Sequence, residues 1–307
     1  MPELVRRPHI MAGLFYPETA ADARRAIERY MGAAAAGDDA AIPLAAKSDA
    51  AGEAPVAAAA GKPSRIAALI VPHAAWELSG KAVGAAVRSA ARGFGNRAPE
   101  RIVVIGPTHQ GGAPGLYLCE SDSFETVLGD IPVDSAFTAE FESCGTSFLF
   151  NDIPHLEEHS IEIVLPFLKY AFPKTPIVPI LLSGARPSDV SALARALDFL
   201  VGPDPDDTLV VVSANLATRG CSCRDAAGDR DIEDLVQTRN ANGLLALAAG
   251  TPPLCGGAAC AALFLSRMSE DWTIAIAARE EASLQGLEDI EGEVRSCYRS
   301  FVCGAGQ

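Results

Sequence analysis

Ile66-Ala67-Ala68-Leu69-Ile70-Val71 runs without a polar residue straight into Pro72-His73, and this junction decides the fold. A short, continuous apolar run of this kind reads as a buried strand. Three more runs resemble it. Arg101–Ile105 (RIVVI) leads into Gly106-Pro107-Thr108-His109, Leu209–Val212 (LVVV) leads into Ser213-Ala214-Asn215, and Pro176–Leu182 reads PIVPILL. Continuous rather than alternating apolar character predicts strands covered on both faces. Helical stretches separate them. Ser79–Arg92 reads as a helix, Ile161–Ala171 begins helically, and Pro187–Leu200 carries Val190, Leu193, Ala194 and Leu197 on one face. This succession predicts an α/β fold, with a central mostly parallel or mixed sheet flanked by helices. In such sheets ligand sites lie beyond the carboxyl ends of the strands.

The wider composition agrees and excludes several functions. With 307 residues, 49% of them hydrophobic, the chain is long enough for one large domain or two small ones. Its net charge of −14, from 39 acidic against 25 basic residues, disfavours nucleic acid and anionic membranes as partners. The opening MPELVRRPHIMAGLFYPE has no apolar core of signal-peptide length, and no run suits a transmembrane helix. Eight unevenly spaced Cys do not suggest a secreted disulfide framework. A cytoplasmic protein is expected. Residues 32–64 consist almost wholly of Ala, Gly, Asp, Pro and Ser. They read as a flexible insertion, since they carry too little bulky apolar surface to offset ordering entropy. An Ala-rich helix is the competing reading, but Gly and Pro interrupt it every few residues.

Candidate chemistry gathers at the strand ends. His73 and His109, two of only five histidines, each follow a buried strand directly. A single His in that position is more often structural, but two in the same context point to a metal or catalytic site. His155 and His159 are four residues apart, which on a helix would place both on one face. Leu156 stands where the zinc-protease pattern H-E-x-x-H requires Glu, so that reading is rejected. Glu157 and Glu158 read as solvated acids in the first turn of a helix. Cys255 precedes Gly256-Gly257 and an Ala-rich helix, where a thiol gains thiolate character suited to metal ligation. Cys221-Ser222-Cys223 is a lone C-x-C, too short a signal to assign. Cys119, Cys144, Cys260 and Cys297 read as buried small hydrophobes.

Six segments, in order, resemble the Memo family, component B of the AmmeMemoRadiSam set. Arg7–Pro17 (RPHIMAGLFYP) resembles the family opening that ends A-G-x-F-Y-P. Pro72–Gly80 (PHAAWELSG) resembles P-H-A-G-Y-x-x-S-G, and Gly106–His109 resembles G-P-[ST]-H. Glu158–Glu162 (EHSIE), followed by Leu165-Pro166-Phe167, resembles E-H-S-[IL]-E-x-x-L-P-[FY]. Ile177–Ile180 and Cys255-Gly256 complete a match running from about Arg6 to Trp272.

The resemblance implies a single domain over residues 1–307, related to class III extradiol dioxygenases, with the flexible insertion at about 33–63. It implies a metal pocket with two His and one Cys as ligands, here His73, His109 and Cys255. Fe(II) or copper is favoured for that donor set, with Zn as a further option. Two departures bear on activity. The family usually reads S-S-D-[FL]-[CS]-H after the third of these strands, whereas Asn215 and Thr218 stand at the Asp and His positions. They are expected to line the pocket, leaving His159 as the candidate acid/base. The implied function is a metal-dependent, dioxygenase-like redox enzyme acting on a small molecule. The alternative is a non-catalytic adaptor, a use described for animal Memo proteins. Expected partners are a small molecule or peptide in the pocket and other AmmeMemoRadiSam components.

Overall fold

The computed structural model describes residues 4–32, 63, 65–202, 207–217, 226–266, 270–283 and 295–305. In chain order the elements are β1 (Arg6–Arg7), α1 (Ala20–Met31), β2 (Arg65–Val71), α2 (Trp76–Phe94), β3 (Arg101–Pro107), β4 (Gly115–Leu118), β5 (Ser123–Phe124) and β6 (Ile131–Pro132). They continue with α3 (Ser135–Ser143), β7 (Phe148–Phe150), α4 (Asp152–Glu157), α5 (Leu165–Ala171), β8 (Ile177–Ser183), α6 (Pro187–Ala196) and β9 (Thr208–Ser213). The last are α7 (Ala226–Gln237), α8 (Ala241–Ala248), α9 (Gly257–Leu265), β10 (Trp272–Ser283) and β11 (Arg295–Ala305).

Eight strands form one mixed sheet in the order β10-β11-β2-β9-β3-β8-β4-β7. Its centre is parallel: β2 pairs with β9, β9 with β3, and β3 with β8. The β10–β11 hairpin adds antiparallel to β2, and β4 adds antiparallel to β8. The apolar runs of the sequence are these parallel strands, and successive side chains enter different cores. Ile70, Val103, Ile105, Val210 and Val212 pack on one face with α6, α8 and α9. Leu69, Val71, Ile102, Val104, Leu209 and Val211 pack on the other with α1, α2 and α5. The α/β fold with a mixed sheet flanked by helices is as the sequence leads one to expect.

Several local expectations change. The helix expected over Ser79–Arg92 starts at Trp76 and runs to Phe94. The one expected from Ile161 begins at Leu165, after turns, with Pro166 in its first turn. After α6 a π turn over Leu197–Val201 closes the stretch expected to be one helix. His155 and His159 do not share a helical face: α4 stops at Glu157, and Glu158 is extended at φ −101°, ψ 139°. The insertion expected at 33–63 lies outside the described residues apart from Pro63, as do Thr218, Cys221 and Cys223. Among the described residues, no helix is long and apolar enough to cross a membrane.

The N-terminal segment folds back over the site. Arg7 is buried and pairs with the buried Glu162, while its other nitrogens donate to the carbonyls of His155 (2.8 Å) and Glu158 (2.7 Å). Glu162 also accepts the backbone N–H of Met11 at 2.8 Å and the Tyr16 hydroxyl at 2.7 Å. This pairing ties residues 7–16 to the loop after α4.

Candidate metal centre

Three strand ends and one helix start converge. β2 delivers His73, β3 delivers His109 and β9 delivers Ser213, while Cys255 sits just ahead of α9. The Cys255 Sγ lies 3.3 Å from His73 Nε2 and 3.4 Å from His109 Nε2, and all three ligand atoms are within 4.8 Å of one another. Around a tetrahedral ion, N and S ligands at about 2.0 and 2.3 Å would stand about 3.5 Å apart. The three side chains thus come together at a separation one ion can span.

Backbone geometry holds Cys255 in place. Its N–H donates to Ala217 O (3.1 Å), and its carbonyl accepts from Leu216 N (3.0 Å). Leu216 takes φ +49°, uncommon for a branched residue and held by this exchange. Gly256 takes φ +77°, and a Cβ there would lie 2.2 Å from Ala214 Cβ.

The distal nitrogens of the ligand histidines are anchored, which sets their tautomers. Ser213 Oγ donates to Ser160 O (2.6 Å), so only its lone pairs remain for His73 Nδ1 at 2.9 Å. His73 therefore carries its proton on Nδ1 and turns an Nε2 lone pair toward Cys255. His109 Nδ1 donates to Glu158 Oε1 at 2.9 Å, again leaving Nε2 toward Cys255. Buried partners of this kind fix ring orientation in metal sites. The donor set and its anchoring fit a bound transition metal.

The electrostatics of the pocket bear on the same donor set. Burial opposes ionisation of Cys255, but the two imidazoles beside it bring its thiol down to about 6. Burial likewise opposes protonation of His109, yet hydrogen bonds to Cys255 and Glu158 lift it to about 10. Metal and proton compete for donor sets of this kind. Burial resists charging Glu158 too, but its hydrogen bond to His109 holds it down at about 2.

His109, Glu158 and His159 form a second group with metal-like spacing. Its chemistry argues otherwise. Glu158 Oε1 already accepts from His109 Nδ1 at 2.9 Å and from the N–H groups of His159 and Ser160 at 2.8 Å each, while Oε2 accepts the His109 N–H. Such a carboxylate is saturated with donors. Glu158 is therefore not the solvated first-turn acid expected from the sequence: it is 2% exposed and anchors the site, while Glu157 is exposed. Its position directly before His159 was the available signal.

The remaining expected residues scatter. His159 lies in the pocket, stacked on His109 with ring centres 4.6 Å apart, and Phe15 packs on it at 5.3 Å. Burial keeps it neutral, with its pKa lowered to about 4. Asn215 Oδ1 accepts the His73 N–H at 2.8 Å, so the amide carbonyl fills a hydrogen-bonding place beside the first ligand. His155 is buried away from the cluster, with Nε2 on Tyr117 O at 3.1 Å. Cys119 and Cys260 are buried as expected, together with Cys303, but Cys144 and Cys297 are only partly so. Cys144 closes the last turn of α3, with Sγ 3.4 Å from Glu140 O.

A family profile described as Memo-like protein matches residues 6–271. The chain belongs to the Memo-like family. A MEMO1 family protein of Thermotoga maritima is 34% identical over 149 residues, 48% of this chain and 52% of that protein. One from Sulfolobus acidocaldarius is 30% identical over 148 residues, 48% of this chain and 51% of that protein. The chain thus spans about half the length of the curated relatives it matches. The crystal structure of an uncharacterized Escherichia coli K12 protein covers 78% of this chain at a TM-score of 0.50 and 14% identity, with all of that protein matched. At that identity the likeness speaks for the fold alone. Membership in the Memo-like family says what the chain is related to; the pocket's chemistry must be argued from its own side chains.

Proposed function

We propose that this Memo-like protein binds a transition-metal ion through His73, His109 and Cys255 and acts on a small molecule at the strand-end pocket. The observation that carries this reading is the approach of both Nε2 atoms to Cys255 Sγ, at 3.3 and 3.4 Å, with each ring anchored through Nδ1. Two imidazoles and a thiolate favour Fe(II) or a copper ion, with Zn(II) the third candidate. A bound ion would supply Lewis-acid or one-electron chemistry.

The chain's own residues provide the rest. His159 is neutral near pH 7, so its ring offers a nitrogen lone pair as proton acceptor for a bound molecule. Phe15 covers one side of that ring and excludes water there. His109 and His159 keep about a fifth of their side-chain surface open, 23% and 18%, which gives a ligand its approach. That opening suits a small molecule or a peptide end. In this reading the protein is cytoplasmic and works alongside other AmmeMemoRadiSam components.

A second reading, a non-catalytic metal- or partner-binding adaptor, draws on Asn215. Its carbonyl is engaged with the His73 backbone, and an amide offers no carboxylate base to the pocket. Protein purified without oxygen and titrated with Fe(II), Cu(I) and Zn(II) tests the metal centre. One ion per chain is expected, with affinity lost by more than 100-fold in Cys255→Ser, because a hydroxyl is a poor ligand for soft metals. Failure to bind all three ions overturns the metal reading. Binding unaffected by Cys255→Ser overturns the ligand assignment.

A further inference from the structure

We infer that Asn215 is a specificity-determining residue of the pocket, its side-chain NH₂ group donating to a carboxylate or carbonyl oxygen of the bound small molecule. The inference rests on the reading above that a small molecule occupies the strand-end pocket. Its basis is the orientation of one amide. The backbone N–H of His73 donates to Asn215 Oδ1 at 2.8 Å. A backbone N–H only donates, so the carbonyl edge of the amide faces it and the NH₂ edge faces elsewhere. Flipping the amide would set two donors against each other. Among the described residues Asn215 Nδ2 has no hydrogen-bond partner, and the side chain is partly exposed. The unpartnered buried side-chain atoms among those residues are Asp189 Oδ1 and Ser300 Oγ, so Nδ2 is not sealed in the core. Both of its protons are open to a ligand.

The backbone fixes where that donor stands. The N–H of Ala214 donates to Val71 O at 2.7 Å, which ties the residue before Asn215 to the strand that delivers His73. The N–H of Leu216 donates to Cys255 O at 3.0 Å, which ties the residue after it to the turn that delivers Cys255. Asn215 thus stands between two members of the cluster, past the carboxyl end of β9, where an open α/β sheet receives its ligands. The neighbouring hydroxyls do not compete for the same ligand atom. Ser213 gives its proton to Ser160 O at 2.6 Å, and Ser160 gives its own to Pro107 O at 2.8 Å. The nearby carboxylates are also engaged. Glu158 accepts three backbone N–H groups, and Glu162 accepts from Arg7, Met11 and Tyr16. A ligand that brings acceptors is therefore favoured over one that brings donors. Asp at this position would reverse the preference, keeping the acceptor for the His73 N–H and losing both protons.

The test follows the side-chain amide signals of the full chain by proton–nitrogen NMR, the Asn215 pair being the one missing from Asn215→Asp. Acetate and methylammonium are the probes, one all acceptor and the other all donor, titrated into Zn(II)-loaded and into metal-free protein. Acetate should shift the Asn215 NH₂ pair saturably, and methylammonium should leave it in place. Acetate affinity should fall by about 10–100-fold in Asn215→Asp, the range for losing a hydrogen bond to a charged group. Asn215→Ala, which removes the donor without adding charge, should lose about 10-fold, so repulsion is not the cause. Acetate that shifts pocket backbone amides but leaves the Asn215 pair unmoved overturns the inference alone. So does methylammonium that moves the pair as far, or wild-type acetate affinity in Asn215→Ala. Acetate that shifts no pocket signal overturns the small-molecule reading together with it. Wild-type protein that takes up no Zn(II) overturns the metal centre, and the metal-free titration then decides Asn215 by the same criteria.

Discussion

Replacing Gly256 by Ala should cripple both the fold and the metal centre, and its cost can be worked from the structure. A Cβ at this position would lie 2.2 Å from Ala214 Cβ and 2.6 Å from Ala214 Cα. Ala214 immediately follows β9 and is completely buried, so relief requires a backbone to move. Overpacking of this kind costs about 1–3 kcal/mol. The positive φ of +77° adds about 1–2 kcal/mol for a residue with a Cβ. Together they come to about 2–5 kcal/mol, which in a chain of this size lowers Tm by roughly 10 °C. Cys255 is the adjoining residue, so the same shift moves its thiolate relative to the two imidazoles and weakens Co(II) binding. Gly184→Ala supplies the control. Its φ is +74°, but its nearest contact would be an ordinary 3.4 Å to Pro114 Cβ, so it carries the backbone strain without the clash. Differential scanning calorimetry and Co(II) titration of both variants check the argument. If Gly256→Ala melts no lower than Gly184→Ala and binds Co(II) as tightly as wild type, the close approach of Gly256 to Ala214 is not what seats Cys255.

Two further outcomes are expected away from the ligands. Burial lowers the His155 pKa to about 4 from an ordinary 6.5, so above pH 6.5 the ring is neutral folded or unfolded. Between pH 6.5 and 4 only the unfolded chain takes the proton, and stability falls with pH by roughly 3 kcal/mol in total. His155→Gln removes this dependence, so the wild-type-minus-variant difference in urea-unfolding free energy should slope across that window; a flat difference would refute it. Arg7→Met leaves Glu162 charged and buried without its guanidinium, which should cost about 3–5 kcal/mol and free the N-terminal segment. Limited proteolysis should then give new cuts between residues 7 and 16; a variant as resistant there as wild type would show that the pair does not hold this segment.

The parallel core was legible because its strands are buried on both faces, and burial writes itself as unbroken Ile, Val and Leu. The β10–β11 hairpin was not. Thr273–Ser283 reads TIAIAAREEAS, with Ala, Arg and Glu that suit a helix equally, and its strand state comes from pairing with β11 and through it β2. At the site, the strand-end rule picked out His73 and His109, and the helix start picked out Cys255. Glu158 escaped because local pattern extended a helix through it, whereas the chain leaves helical geometry at that residue and turns its carboxylate inward. Arg7 and Glu162 lie 155 positions apart. No local pattern reports such a pair.

The register of β9 carries a consequence for the pocket. Ser213 sits opposite Val71, two residues before His73, at the end of a strand whose residues 209–212 belong to the two cores. Side chains alternate along a strand, so a slip of one residue would exchange Ser213 for Val212 or Ala214 beneath His73 Nδ1. It would also turn the whole strand's apolar set to the wrong cores. The oily residues therefore proofread the polar one: any chain that packs its sheet correctly has also placed the hydroxyl that orients the first ligand.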